Sequence, residues 1–193
     1  MIPALRSAAA AVALLAVAAG GAAFAQRADA IVRVERGFGG LCEACNLSGR
    51  LLSGARIAGA VFRRANFSNA VMARVDATGA NFEGADFSGA DLMRAKLIDV
   101  EGESAKFAGA RLRNADASRA DFSRGAFDDA DLRGANFEDA RLRGASFSHA
   151  RLAGANLSGA DLRRAEDLTQ SQLNQACGDE ETRLSRGLHV RRC

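Results

Sequence analysis

From Leu47 to Leu162, every fifth residue comes from a narrow set. Of these 24 positions, 21 are Leu, Phe, Ile or Met, and the exceptions are Ala77, Gly102 and Ala117. Nine of the eleven phenylalanines fall on this register. A second register runs two residues ahead of the first, from Ala55 to Ala165. Of its 23 positions 20 are Ala, the exceptions being Val75, Val100 and Gly125. A period of five fits neither a 3.6-residue helical stripe nor a simple alternating strand. It fits a short extended side followed by a corner. Residues two apart on an extended segment face the same way, so the Leu/Phe residue and the Ala before it both point inward. The residue between them and the one after point outward, and the fifth turns the chain. Asn, Asp, Ser and Gly are frequent at the outward and corner positions, where they tolerate turn conformations or bond locally to the backbone.

A longer period of twenty sorts the central residues into like with like. One column is Leu47, Phe67, Phe87, Phe107, Phe127, Phe147, and the next is Leu52, Met72, Leu92, Leu112, Leu132, Leu152. The third, Ile57 to Leu157, mixes small and large residues, and the fourth runs Phe62, Phe82, Gly102, Phe122, Leu142, Leu162. Such columns are expected if four sides make one coil and coils stack in register. The 24 repeats then make six coils, a rod of about 29 Å at the spacing of stacked strands. Gly102 leaves a thin spot in its column, so residues 97–106 are expected to be the weakest coil.

Ala80-Asn81-Phe82-Glu83-Gly84, Ala85-Asp86-Phe87-Ser88-Gly89 and Ala130-Asp131-Leu132-Arg133-Gly134 carry a resemblance to the pentapeptide-repeat family, over residues 42–165. That resemblance implies an all-β fold, a right-handed quadrilateral β-helix. The handedness comes from the family alone.

Register breaks after Ala165. Residues from Thr169 to Gly178 read as a short helix, with Thr169 as N-cap and Gly178 as stop, and residues 179–193 as an irregular tail. Helix and tail are expected to cap the last coil, since a solenoid needs its ends covered against end-to-end pairing. The four cysteines form two distant pairs, Cys42/Cys45 and Cys177/Cys193. A single four-cysteine zinc site needs all sulfurs within a few ångströms, which six intervening coils disfavour. In an oxidising compartment disulfides are the default, and the length of the rod favours Cys177–Cys193 at one end and Cys42–Cys45 at the other. The alternative for the second pair is that both are small core residues, since Cys42 lies on the Leu/Phe register and Cys45 on the Ala register.

The start of the chain reads as an address. Arg6, an apolar run from Ala8 to Ala19, and Ala23-Phe24-Ala25 form a secretory signal with cleavage between Ala25 and Gln26. The run is short for a membrane span, so the mature chain carries no expected transmembrane segment and belongs in the periplasm or outside. The alternative is a retained N-terminal anchor. Residues 26–41 form a lead-in. The whole chain has 26 Lys+Arg and 23 Asp+Glu. Arg6 is the only charged side chain of the signal, so removing it leaves 25 against 23, net +2. That balance is too even for nucleic-acid binding driven by backbone neutralisation. With two His and no Trp or Tyr, little equipment for enzyme chemistry remains, and no cofactor or metal motif appears.

Outward residues sort onto four faces by the same period. The face over the leucine column carries Arg74, Arg94, Arg111, Arg113, Arg133 and Arg151 against Asp91 and Asp131, net +4. The face over the phenylalanine column carries Lys106 against Asp86, Asp128 and Asp129, net −2. An arginine stripe on a flat face fits an anionic polymer or an acidic protein, because guanidinium groups grip carboxylate and phosphate; the plainer reading is a solvated face that resists aggregation. Outward Leu51 and Val71 stack as a small apolar patch. Ser148, His149, Asp128 and Asp129 contain the residue types of a nucleophilic triad, but a flat strand offers them no pocket or oxyanion hole. An exposed charge pair between Asp129 and His149 is the favoured expectation.

The sequence therefore reads as an exported, non-catalytic solenoid, monomer or homodimer, with a protein or anionic envelope polymer as partner. A second reading comes from the family resemblance, whose best-understood members mimic DNA and bind DNA gyrase. The signal, the net +2 and the arginine stripe weigh against it.

Overall fold

The computed structural model describes residues 41–193. The expected signal peptide and most of the expected lead-in lie outside these residues. From Leu41↔Val61 to Ser146↔Glu166, parallel bridges join residues twenty apart, four to each turn of the chain. The result is a four-sided coil that stacks on itself.

One repeat shows why five residues suffice. The amide of Leu92 donates to Arg111 O at 2.8 Å and that of Arg94 to Arg113 O at 3.0 Å, both one coil ahead. Asp91 N donates back to Ala70 O at 2.9 Å, and Ala95 N closes the corner on Leu92 O at 3.0 Å. Only the amide of Met93 is left without a backbone acceptor, and Asp91 Oδ1 accepts from it at 3.1 Å. Because a backbone donor without a partner is costly, Asn or Asp before the central residue completes the repeat. All twelve Asn and Asp residues at this position in the ladder make the same bond, at 2.9–3.4 Å.

The fifth position is the left-handed corner. Every fifth residue from Ala44 to Arg164 has positive φ, eleven of them Gly and fourteen not. A positive φ at the third residue of a four-residue turn is the geometry of a type II turn. The first corner is unlike the rest. It lacks the turn hydrogen bond that closes the 24 others, and the Cys42–Cys45 disulfide joins the two residues that such a bond would link.

Inside, the central residues and alanines form one core, with Phe67, Phe87, Phe107, Phe127 and Phe147 at 0–1% exposure and Leu92, Leu112, Leu132 and Leu152 likewise. The five phenylalanine rings stack face to face, their centroids 4.9, 5.0, 4.9 and 5.4 Å apart. The expected thin spot at Gly102 is corrected by the structure. A Cβ there would lie 2.5 Å from the Phe122 ring, so that ring fills the space a larger side chain would have taken. One mark of the departure survives nearby: Val100 N to Leu97 O, at 3.4 Å, is the longest of the corner bonds.

The far end also departs from expectation. The helix α1 is Gln170–Leu173, four residues, shorter than the stretch to Gly178. Thr169 is its N-cap, in a capping box with Gln172. It stops early because the chain rejoins the ladder. Gln175 O accepts from Gly154 N, Cys177 O from Leu157 N and Arg183 O from Leu162 N, each at 2.7 Å. The tail is therefore not irregular throughout, since Cys177 and Arg183 bridge Asn156 and Asp161. Gly178 is a strand position bridged to Arg192, where a Cβ would meet Thr182 Oγ1 at 2.6 Å. Gln172 Nε2 donates to Phe147 O at 2.8 Å and Ala150 O at 3.0 Å, while Leu173 and Ala176 are fully buried. Cys177 and Cys193 are bonded to each other. At the opposite end Leu41 and Leu51 are 81% and 61% exposed. Among the described residues no helix is long and apolar enough to cross a membrane.

Candidate functional site

The leucine face is built on the ladder Leu51, Val71, Asp91, Arg111, Asp131, Arg151. Its side chains project from a backbone held on both neighbouring coils, so their spacing is that of the coils. Two of the six arginines are engaged. Arg111 Nη1 lies 3.3 Å from Asp91 Oδ2, and Arg133 meets Asp131 through Nε at 2.7 Å and Nη2 at 2.6 Å. Hydrogen bonds from the Arg133 side chain hold the Asp131 carboxyl below its usual pKa, with burial opposing and Arg113 adding a smaller attraction. Arg74, Arg94, Arg113 and Arg151 have no acidic partner among the described residues. The outward apolar pair is in place, with Leu51 bridged to Val71.

Across the rod, the face over the fourth column carries seven arginines, and here five are engaged. Arg63 pairs with Glu83 at 3.0 Å, Arg64 with Glu43 at 3.8 Å, Arg141 with Asp121 at 3.5 Å and Arg163 with Asp161 at 2.6 Å. Arg124 pairs with Glu103. Arg143 and Arg164 complete the set. A shallow depression of about 390 Å³ opens on this side, lined by Glu83, Asp99, Glu101, Glu103, Arg119 and Arg141 among others. Sequence reasoning passed over it, although carboxylates and arginines twenty residues apart, such as Asp99 and Arg119, signal such pairs.

The Ser/His/Asp group is not assembled as a charge pair. Asp128 Oδ1 accepts from Ser148 N at 3.2 Å and from Ser146 Oγ, which ties that carboxylate to the next coil. Asp129 and His149 occupy equivalent left-handed corners of neighbouring coils and share only a backbone neighbourhood, through Asp129 N to Ser148 O at 2.7 Å. No side-chain hydrogen bond or ion pair joins them among the described residues, unlike Asp99 and Arg119, which pair from equivalent corners of neighbouring coils. Among the described residues no group of His, Cys, Asp and Glu has the arrangement of a metal site. The cysteines stand as two disulfides at opposite ends.

Two family models, both described as pentapeptide repeats, match the chain, one over residues 103–139 and 140–177 and the other over residues 44–95. Among solved structures, trypsin-treated QnrB1, a plasmid-mediated fluoroquinolone resistance protein, is 20% identical with a TM-score of 0.50, covering 77% of this chain and 89% of that one. A pentapeptide repeat protein of the Arabidopsis thaliana thylakoid lumen is 27% identical, covering 62% and 70%, with a TM-score of 0.30. One from the cyanobacterium Cyanothece 51142 is 26% identical, covering 75% and 90%, with a TM-score of 0.30. No match is found among curated protein sequences. The likeness to QnrB1 shows the fold, a right-handed β-helix solenoid.

Proposed function

Because the chain belongs to the pentapeptide-repeat family and holds on one side of its rod four arginines that have no acidic partner among the described residues, we propose that it is an exported, non-catalytic interaction module. The observation that carries this reading is the leucine face, where Arg74, Arg94, Arg113 and Arg151 stand on a rigid ladder with no acidic partner among the described residues. With the backbone beneath them already fixed, only the side chains themselves are left to be ordered on binding. A partner presenting carboxylate or phosphate, an acidic protein or an anionic envelope polymer, fits that surface.

The rest of the reading follows from the same rod. Residues 1–25 act as a cleaved signal, and the two disulfides suit the oxidising space beyond the membrane. The 24 repeats make six coils, and α1 with the tail is the cap of the far end. The contacts of Gln172 and the burial of Leu173 support that role. The module works as a monomer or homodimer and needs no cofactor. Among the described residues the faces carry no enclosed site, and His149 does not engage Asp129.

Intact mass of the protein recovered from the envelope or medium, under non-reducing conditions, tests the reading. The expected mass begins at Gln26 and lacks four hydrogens. A full-length cytosolic product with four free thiols would overturn it and make gyrase binding the next assay.

A further inference from the structure

We propose that the Cys42–Cys45 disulfide is a thiol–disulfide exchange site, which a protein dithiol reduces to two thiols while the rod stays folded, and that Cys177–Cys193 is the structural bond. This goes beyond the interaction module and does not depend on its arginine face.

The corner at residues 42–45 is anchored without its sulfurs. Cys42 N donates to Val61 O, Ala44 N donates to Arg63 O, and Cys45 O accepts from Asn66 N, each at 2.8 Å. Ala44 has a positive φ of 55°, as the other corners do. The Cα atoms of Cys42 and Cys45 are 5.6 Å apart, inside the limit of about 7 Å for a four-residue turn. What this corner lacks is the closing bond from Cys45 N to Cys42 O. The next corner has its counterpart, Arg50 N to Leu47 O at 3.2 Å. Cys45 N has no acceptor among the described residues. Cutting the S–S bond therefore leaves an anchored turn one hydrogen bond short, and forming that bond offsets part of the loss. The two thiols then sit as small residues on the Leu/Phe and Ala registers. Both cysteines are half-buried and Leu41 beside them is exposed, so the pair lies at an accessible rim.

The bond at the far end does different work. Its cysteines are 16 residues apart in sequence, against 3 for the first pair, and a cross-link restrains the unfolded chain more as its loop lengthens. Beyond Arg183 the tail returns to the rod by two main-chain bonds, Gly178 N to Arg191 O at 2.8 Å and Cys193 N to Gly178 O at 3.0 Å. Side-chain bonds of Ser185, Gln170 and Arg191 assist. Both main-chain bonds flank the disulfide, and no ready turn takes its place, so reduction there loosens the cap. At Cys42–Cys45 the exchange has two steps. A thiolate of the partner attacks one sulfur, forming a mixed disulfide and releasing the other sulfur as a thiolate that takes up a proton. The partner's second thiolate then breaks the mixed disulfide. This chain ends with two thiols and the partner with a disulfide, two electrons having passed from partner to chain.

Reduced thioredoxin in excess, mixed with the oxidised full chain, tests the proposal, with alkylation and peptide mass spectrometry reading each cysteine pair. Cys42 and Cys45 should become alkylated while far-UV circular dichroism keeps its folded signal. Hydrogen exchange at the Cys45 amide should slow by about fivefold on reduction, because that amide gains an acceptor. Cys42→Ser with Cys45→Ser should leave the denaturant midpoint of the oxidised chain unchanged, whereas Cys177→Ser with Cys193→Ser should lower it. Resistance of Cys42–Cys45 to thioredoxin overturns the proposal, as does a Cys45 amide that exchanges no more slowly once reduced. A midpoint lowered as much by the first serine pair as by the second also overturns it. Each of these failures leaves the interaction module standing.

Discussion

The leucine face and the face across the rod from it are built by the same repeat and carry six and seven arginines, yet their charges are arranged differently. Across the rod, four of the five ion pairs join an arginine to an acidic side chain on the neighbouring coil, and five of the seven guanidinium groups are satisfied inside the protein. On the leucine face Asp91 pairs with Arg111 one coil on and Asp131 with Arg133 in its own repeat, and four arginines have no acidic partner among the described residues. The arginine counts are close, but the acidic counts are not: Asp91 and Asp131 on the leucine face stand against Glu43, Glu83, Glu101, Glu103, Asp121 and Asp161 across the rod. In a solenoid, residues twenty apart are neighbours, so a face is neutral or charged according to what its column repeats. Exposed pairs of this kind add at most about 1 kcal/mol each, and their main effect is on what the surface attracts.

The largest effects should come from the cores beneath the two faces. Leu112→Ala, under the leucine face, leaves a cavity in a fully buried ladder and should cost about 2–5 kcal/mol in denaturant unfolding. Gly102→Ala, under the opposite face, adds volume where the Phe122 ring already lies. It should cost about 1–3 kcal/mol, and the same measurement checks it. An unchanged midpoint for Gly102→Ala would show that the ring moves aside freely. The smallest effect concerns matched carboxylates, Asp131 on one face and Asp161 on the other. Both lie below the ordinary value of 3.8 because Arg133 and Arg163 donate hydrogen bonds to them. A carboxyl depressed by folding adds stability above its unfolded pKa and loses it as pH falls through its folded value. Stability should therefore decline below about pH 4. Asp131→Asn and Asp161→Asn should each remove a similar part of that slope in acid titrations of the unfolding midpoint.

Much of this architecture is legible in the sequence because a repeat writes each contact many times. The five-residue register, the ring of alanines and the turning fifth position each recur too often to be accidental. The ring of Phe122 over Gly102 occurs once, and no count of residue types reveals that a neighbour has leaned into an empty place. The tail was misread for a related reason. Cys177 and Arg183 lie 21 and 22 residues beyond their partners, so a search at a strict period of twenty passes over them. The faces were legible as lists of charges, but their pairing was not. Arg133 bonds within its own repeat to Asp131, whereas Arg111 reaches back a whole coil to Asp91, and only coordinates separate the two habits. Nor does the sequence tell which amide of the repeat lacks a partner, and that amide is the reason for Asn or Asp before the central residue.

Fourteen corners hold a side chain in a backbone conformation that glycine adopts freely and other residues resist by about 1 kcal/mol. Six of those fourteen are arginines: Arg64, Arg74, Arg94, Arg119, Arg124 and Arg164. Shape and message compete at each of these places. A chain selected only for rigidity would drift toward glycine there and become a smoother, sturdier and chemically silent rod. This one accepts local strain wherever the corner displays a cation, so its surface is written in the very positions where the fold would be better served by saying nothing.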